Sequence, residues 1–313
     1  MHKMKAAICT KYGPPEVLKI VERDKPNPKD DEVLIKVFAA SVTNSDIFIR
    51  SSNIPLRFRI PMRVMIGITR PRNDILGEVL SGEIVRVGSK IRRFHVGDQI
   101  FGLTGFSLGA YADYKCMKET DSKRGCIALK PRNISFEEAT SAAYGGLLAL
   151  QYLEKGHIQP KEKVLIYGAS GTSGTIAVQY AKHLGAEVTG VCSAEKVDLV
   201  RSLGADKTLD YTSKDSIPKL EPYDFVLDSV GKARTSELKE ACRTLMSHRD
   251  KFVSIDDGPL ILSSERLNRI RELVEARIVT PITDRCFPLE QIIDAHRYVE
   301  RGHKRGNVAI TVN

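Results

Sequence analysis

The stretch Val164-Leu-Ile-Tyr-Gly168-Ala-Ser-Gly171-Thr-Ser-Gly174 constrains this chain more than any other. An apolar, β-branched run meets three glycines, and a helix-like segment then continues to Leu184. The next apolar run, Val188 to Val191, closes a strand–helix–strand unit. Such a unit carries an anion at the turn, where backbone N–H groups open a helix and glycines let a ligand approach. Ser170, Gly171, Thr172, Ser173 and Gly174 are therefore candidates to face a pyrophosphate through the main chain.

The flanking segments set the fold class. Up to about residue 130 the chain reads as β-rich, with short runs at Lys5–Thr10, Leu18–Glu22, Glu32–Ala40, Gly77–Val87, Gln99–Gly102 and Tyr111–Cys116. Turn chemistry such as Gly13-Pro14-Pro15 and Val96-Gly97-Asp98 separates them, which predicts a partly closed barrel. From Ser135 the period changes. Ser135-Phe-Glu-Glu138 is a capping box ahead of an Ala-rich helix, and a second helical segment is expected over Gly146–Lys155. Beyond the opening unit, strands at Lys207–Asp210, Phe225–Ser229 and Lys251–Ile255 alternate with helices at Ala194–Leu203 and Ser236–Leu245. That alternation predicts a doubly wound parallel sheet. Helices over Arg266–Ala276 and Leu289–Arg301 and a strand over Asn307–Val312 complete the chain.

The segment Arg50 to Arg72 carries six arginines, Arg50, Arg57, Arg59, Arg63, Arg70 and Arg72, and no acid before Asp74. It reads as a surface flap whose arginine stems cover apolar surface, with membrane or anion docking as the alternative. The net charge of +9 suits an anionic ligand, but no nucleic-acid motif accompanies it. No apolar run is long enough to span a bilayer. The six cysteines are scattered singly, without a CxxC pair, and the N-terminus starts on a strand-like run. A cytoplasmic protein with free thiols and no thiolate metal cluster is expected.

The ordered set of motifs resembles the medium-chain dehydrogenase/reductase superfamily, in its zinc-free quinone oxidoreductase-like branch. The residues that carry the resemblance are Lys36-Val-Phe-Ala-Ala-Ser-Val-Thr-Asn-Ser-Asp46, Val96-Gly-Asp98, Pro131-Arg-Asn-Ile-Ser-Phe-Glu-Glu-Ala139, Gly168 to Gly174, Leu203-Gly-Ala-Asp206, Asp228-Ser-Val-Gly231 and Ala295-His-Arg-Tyr-Val299. The resemblance implies an α/β fold: a Rossmann doubly wound parallel sheet inserted into a β-rich, GroES-like, partly closed barrel. Residues 1–130 plus 283–313 would form the catalytic domain and residues 131–282 the NADP-binding domain, with the cofactor in the cleft between them.

An NAD site usually ends its second strand on Asp or Glu; here that strand ends Val191-Cys192-Ser193, and Glu187 sits at its other end. NADPH-using members of the branch employ a small or hydroxyl residue, a lysine three positions on, and a Tyr after the next strand. Ser193, Lys196 and Tyr211 match those positions, which implies NADPH. Val230 and Asn307 match further cofactor positions.

Zinc-dependent relatives hold a catalytic metal with Cys, His and Cys. Thr43 stands where the first Cys would fall and Glu78 where the His would fall, and the four-cysteine structural lobe is absent, so no metal is expected. Without zinc to stabilise an alkoxide, the expected substrate is a small electrophile. Hydride from NADPH would add to the activated C=C of an enone, 2-alkenal or quinone. Thr43 and Phe48 match the Asn and Tyr that line the nicotinamide pocket, with Phe48 lacking the hydroxyl; the catalytic acid is not identified. Asp46 reads as a helix cap. An alcohol dehydrogenase-type carbonyl reductase and an NADPH-binding sensor or structural protein with little turnover are the alternatives. The segment Asp256 to Ser264 is shorter than the one that supplies a dimer edge strand in many relatives, so a homodimer stays open but gains no support there.

Overall fold

The computed structural model describes residues 2–52, 63, 66–232, 234–246 and 251–312. Arg57 and Arg59 of the arginine-rich segment lie outside the described residues, so the flap reading is tested only at its ends. Chain contacts divide the protein into two units. One comprises Met1–Ala143, Leu262–Arg271 and Thr283–Asn313; the other comprises Tyr144–Ile261 and Glu272–Ile282.

The first unit opens with an antiparallel pair, β1 (Lys3–Cys9) and β2 (Leu18–Asp24). Its main sheet is built on β3 (Glu32–Ser41), whose buried-to-intermediate alternation puts Val33, Ile35 and Val37 into the core. After β3 comes α1 (Asn44–Ser51), followed by β4 (Val79–Val87), β5 (Gln99–Leu103), β6 (Tyr114–Lys118) and β7 (Cys126–Leu129). Strand β7, only four residues long, was not foreseen, and β6 is shifted towards Lys118, its run being interrupted by Lys115 and Lys118.

Helix α2 (Phe136–Glu154) runs unbroken through Gly145-Gly146, where two segments were expected. Its start carries the anticipated capping box: Glu138 accepts from the Ser135 N–H at 2.8 Å, and the Ser135 hydroxyl accepts from the Glu138 N–H at 3.2 Å. The glycines serve close packing, since a Cβ on Gly145 would collide with the Thr172 carbonyl. The division between units falls within this helix, at Ala143 and Tyr144.

The second unit holds β8 (Lys163–Tyr167), α3 (Thr172–His183), β9 (Glu187–Cys192), α4 (Val197–Ser202), β10 (Lys207–Asp210), β11 (Phe225–Asp228), α5 (Glu237–Thr244) and β12 (Phe252–Ser254). All pairings are parallel, in the order β10-β9-β8-β11-β12. Strand β8 reads Val-Leu-Ile-Tyr because it is central and covered on both faces. From β8 the chain moves to β9 on one side, while β11 lies on the other. The order therefore reverses at β8, and a crevice opens at its C-terminal end. The expected single helix 194–203 is instead a 3-10 turn, Ala194–Lys196, followed by α4. After β12, residues 255–263 run as turns and coil to α6 (Ser264–Glu275).

The C-terminal stretch returns to the first unit. Strand β13 (Thr283–Pro288), polar and not foreseen, pairs parallel with β14 (Asn307–Thr311), and α7 (Ile292–Glu300) lies between them in sequence. The seven-stranded sheet runs β13-β14-β3-β4-β5-β7. Strands β14 and β6 both pair antiparallel with β3, at residues 39–41 and 32–36. No ladder joins β13 to β7 among the described residues, so the sheet is an incompletely closed barrel.

Candidate functional site

In the second unit the turn after β8 is shaped by its glycines. Gly168 has φ +82°, and a Cβ there would strike the Val230 side chain. A Cβ on Gly174 would strike the Gly168 carbonyl, so the first turn of α3 lies directly on the end of β8. Gly171 is the extended N-cap of α3. A Cβ on Gly171 would meet only the Gly168 oxygen, at 3.4 Å, leaving a cradle open above the main chain. Ser170, Thr172 and Ser173 flank that cradle and are buried. These features fit a dinucleotide pyrophosphate: bare backbone, a helix N-terminus, and no carboxylate in the turn.

A loop after β11 braces the turn. The Ser229 and Ser173 hydroxyls lie 2.5 Å apart. Val230 is half-buried, and its N–H donates to Asp228 Oδ1 at 3.2 Å. Asp228 also holds the Lys239 ammonium at 2.7 Å and accepts from the Ser254 hydroxyl at 3.0 Å. The ammonium donates further to the carbonyls of Gly231, at 2.8 Å, and Arg234, at 2.9 Å. Both charged side chains are sealed from solvent. The pair ties the Gly231 and Arg234 carbonyls to Asp228. Sequence reasoning missed Lys239; the signal was a lysine in a helix whose neighbours Leu238 and Cys242 are apolar.

At the far end of β9 the structure brings Ser193, Lys196 and Tyr211 together. Tyr211 donates its N–H to the Cys192 carbonyl at 3.2 Å, so the residue after β10 sits beside the residue before Ser193. The Lys196 N–H donates to the Ser193 carbonyl at 2.9 Å, closing the 3-10 turn. Lys196 is buried, with 7% of its surface exposed, whereas the Tyr211 ring is open and 6.5 Å from that of Tyr167. Burial pushes the Cys192 thiol up to about 11, against the pull of Lys196 and Arg201. Cys192 is therefore a neutral wall rather than a second anion. Asn307 belongs to the first unit: it opens β14, is buried, and donates from Nδ2 to the Thr140 hydroxyl at 3.1 Å.

The first unit holds an acidic cluster at the start of α1. Thr43 is the N-cap, and Asp46 completes a capping box. The Asp46 N–H donates to the Thr43 hydroxyl at 3.1 Å, and Asp46 Oδ2 accepts the Thr43 N–H at 2.9 Å and its hydroxyl at 2.8 Å. Asp46 Oδ1 accepts the Gly77 N–H at 3.1 Å, and the neighbouring Tyr111 hydroxyl donates to the Ser41 carbonyl at 3.1 Å. The cap role expected for Asp46 is thus shared: Thr43 caps, and Asp46 reaches back. Thr43 is buried and its one hydroxyl proton is directed at carboxylates, whereas a donor to a ligand was expected. Phe48 lies one turn on, with its ring partly exposed.

Glu78 stands on the other side of Thr43, its Oε2 3.5 Å from the Thr43 hydroxyl, and it also bonds Ser45. It is neither sealed nor fully open. Burial, and then the nearby Asp46 charge, push the Glu78 carboxyl up to about 7. Burial raises the Asp46 carboxyl as well, against the pull of the hydrogen bonds it accepts from Thr43 and Gly77. Sequence reasoning named this position only as one lacking a metal ligand. The available signal was a lone carboxylate inside Ile75-Leu-Gly-Glu-Val-Leu80.

These side chains do not fit a catalytic zinc. Thr43 and Glu78 offer a hydroxyl engaged in a helix cap and a single carboxyl, not thiolate and imidazole. Among the described residues no three His, Cys, Asp or Glu side chains are grouped to hold a metal ion.

Residues 29–130 match the alcohol dehydrogenase GroES-like domain, and residues 174–253 and 259–310 match zinc-binding dehydrogenase models. The chain is 31% identical to the bovine (Bos taurus) mitochondrial NAD(P)H oxidoreductase RTN4IP1, over 99% of its own length and 89% of that protein. It is 29% identical to the tomato (Solanum lycopersicum) 2-methylene-furan-3-one reductase, over 98% of its length and 79% of the relative. Among solved structures, the quinone oxidoreductase from Coxiella burnetii superposes with a TM-score of 0.83 at 26% identity, covering 100% of each chain.

Proposed function

The chain belongs to the medium-chain dehydrogenase/reductase superfamily of oxidoreductases, and from that premise we propose that it is an NADPH-dependent reductase of activated C=C bonds and quinones. The observation that carries the reading is the Thr43–Asp46–Glu78 cluster. It replaces the donors a catalytic zinc would need with hydroxyl and carboxyl groups. An isolated carbonyl needs its developing alkoxide neutralised, whereas a conjugated acceptor spreads its charge over several atoms and is satisfied by hydrogen bonds. Relatives with related names support this substrate class: a 2-methylene-furan-3-one reductase, and an alkenal/one oxidoreductase from Arabidopsis thaliana that is NADPH-dependent by name.

The chemistry that NADPH supplies when bound is a hydride for the β-carbon of the acceptor. The residues of the chain do the rest. Ser170, Gly171, Thr172, Ser173 and Gly174 hold the pyrophosphate at the α3 N-terminus, and Val230 flanks the turn. Ser193, Lys196 and Tyr211 take the 2′-phosphate: the lysine supplies the charge, and the Ser193 hydroxyl, now 3.4 Å from Glu195 Oε1, turns from that carboxylate to the phosphate. The partly exposed Phe48 ring offers a flat apolar wall to a conjugated acceptor. All six cysteines are free, which supports residence in a reducing compartment such as the cytoplasm.

The test is turnover. Purified protein is given NADPH or NADH with 2-alkenals, enones, quinones and simple ketones, and the reduced-nicotinamide absorbance is followed. Conjugated acceptors are consumed with NADPH and simple ketones are not. NADPH binding with nothing consumed would make the protein a nucleotide binder rather than a reductase. Ketone reduction that appears only when zinc is added would overturn the argument from the cluster.

A further inference from the structure

We propose that one face of the first unit docks on the surface of an anionic lipid bilayer: cations at Arg70, Arg72, Lys123 and Arg124 meet the headgroups, and the side chains of Ile68 and Phe106 enter the layer beneath them. The docking gives a role to the end of the arginine-rich segment, which dinucleotide binding leaves unused, and it is independent of turnover.

The face is made of three short loops of the first unit, tied together by hydrogen bonds. Residues 66–73 form the first. The Arg72 N–H donates to the Ile66 carbonyl at 2.8 Å and closes the loop, and the Tyr12 hydroxyl donates to the Gly67 carbonyl at 2.6 Å and pins it. The second is the 3-10 turn Gly105–Ser107. Asn73 joins the two, its Nδ2 donating to the carbonyls of Phe106 and Ser107 at 3.2 Å each. The third is the turn 122–125, where Ser122 and Gly125 each donate an N–H to the other's carbonyl at 3.0 Å. It is joined to the second by the Phe106 N–H, which donates to the Lys123 carbonyl at 2.9 Å, and by the Ser107 hydroxyl, which donates to the Arg124 carbonyl at 3.0 Å.

Two observations point to a bilayer. The first is apolar exposure. Ile68, 70% exposed, and Phe106, 66% exposed, are the two most exposed large hydrophobic side chains among the described residues. An exposed apolar residue on its own is ordinary, but here the two extremes fall on adjoining loops. The second is charge. Arg70, Arg72, Lys123 and Arg124 are exposed, and the three loops contain no Asp or Glu. The carboxylates that follow and precede them in sequence are engaged: Asp74 by the Arg23 guanidinium at 2.7 Å, and Asp121 by the Ser264 N–H at 2.7 Å. Apolar tips within a basic rim suit the bilayer interface, where anionic headgroups attract the cations, arginine and lysine stems lie along apolar surface, and the tips leave water. A nucleic acid would satisfy the cations but not Ile68, whose branched side chain offers bases no ring to stack on.

The chain contains no tryptophan, so Phe106→Trp places a single fluorescent reporter at one tip. Its emission should shift to the blue with vesicles of phosphatidylcholine containing about one-third phosphatidylserine, and stay unchanged with phosphatidylcholine alone. Wild type should sediment with the same anionic vesicles and be released as salt rises from about 0.1 M to about 1 M, where the Debye length shrinks from about 10 Å to about 3 Å. Arg70→Gln with Lys123→Gln should weaken vesicle binding by roughly 10- to 30-fold. Lys214→Gln with Lys219→Gln removes the same charge from the second unit and should leave binding as in wild type. Ile68→Ser with Phe106→Ser should weaken binding while keeping its salt dependence, with thermal unfolding as the check that each variant folds. An unshifted Trp emission, or equal losses from the two charge pairs, overturns the proposal. So does capture of a single-stranded RNA oligonucleotide by a wild type that ignores anionic vesicles. If the serine pair does not fold, the Trp emission and the two charge pairs decide.

Discussion

Lys196 closes a 3-10 turn rather than riding on an exposed helix face, and it is buried beside Cys192. On the NADPH reading its ammonium is the charge that meets the adenosine 2′-phosphate. Lys196→Ala should weaken NADPH by roughly 10- to 100-fold, the range of one charge-assisted hydrogen bond, and change NADH within a few-fold. Calorimetric titration with both nucleotides checks it, and equal losses would remove Lys196 from the phosphate site. Glu78 makes a separate prediction for stability. Its folded carboxyl is pushed up to about 7 from an ordinary value of 4.5, so between those values the folded state binds more protons than the unfolded one. The sign then runs against the fold as pH rises: stability falls across this window, by roughly 3 kcal/mol in total. Denaturant unfolding of wild type against Glu78→Gln at pH 4.5 and 7 should show that slope only in the wild type.

At the scale of elements, the glycine turn and the 228–232 loop act as one device. Gly174→Ala would drive a methyl into the Gly168 carbonyl, costing about 1–3 kcal/mol and displacing the α3 N-terminus. NADPH affinity should fall with it, while Gly97→Ala, a position where a Cβ meets nothing within 4 Å, should leave affinity alone. The Asp228–Lys239 pair is the second support. Lys239→Met leaves a buried carboxylate uncompensated, an expected loss of about 3–5 kcal/mol, and adding Asp228→Asn should restore part of it. Thermal unfolding of the single and double variants checks the coupling. The glycine turn and the parallel strands were legible in the sequence because their signals are local: apolar runs, glycines, and a change from period two to a helical period. The capping box at Ser135 was legible for the same reason. Lys239, Glu78 and strand β13 were not. Lys239 matters only because Asp228 and two carbonyls converge on it. Glu78 gains its meaning from a helix cap some thirty residues earlier in the chain. Strand β13, Thr-Asp-Arg-Cys-Phe-Pro, has a polar edge-strand composition that no period reveals.

At the scale of the whole molecule, both chain ends build the first unit. The GroES-like character read from the N-terminal motifs therefore depends on residues near the C-terminus, with β14 lying against β3 and Val308 and Ile310 in its core. Removal of residues 306–313 should expose that core and abolish cooperative unfolding of the first unit, which hydrogen exchange can follow. Binding should act in the opposite sense: NADPH at 100 times its Kd adds about 2.7 kcal/mol to the stability of the folded chain, and NADH at the same concentration adds less. A thermal shift titration measures both.

The pairing of β14 with β3 also governs how the protein is born. During synthesis β3 emerges early, with its 32–36 stretch able to pair with β6 within the same N-terminal segment. The 39–41 stretch must wait for Ala309, Ile310 and Thr311, which come after every other strand of both units. The parallel sheet of the second unit is complete well before then. Until β14 is made, a nascent chain therefore carries one finished sheet and one with an open, hydrogen-bond-hungry edge, the kind of edge that invites aggregation.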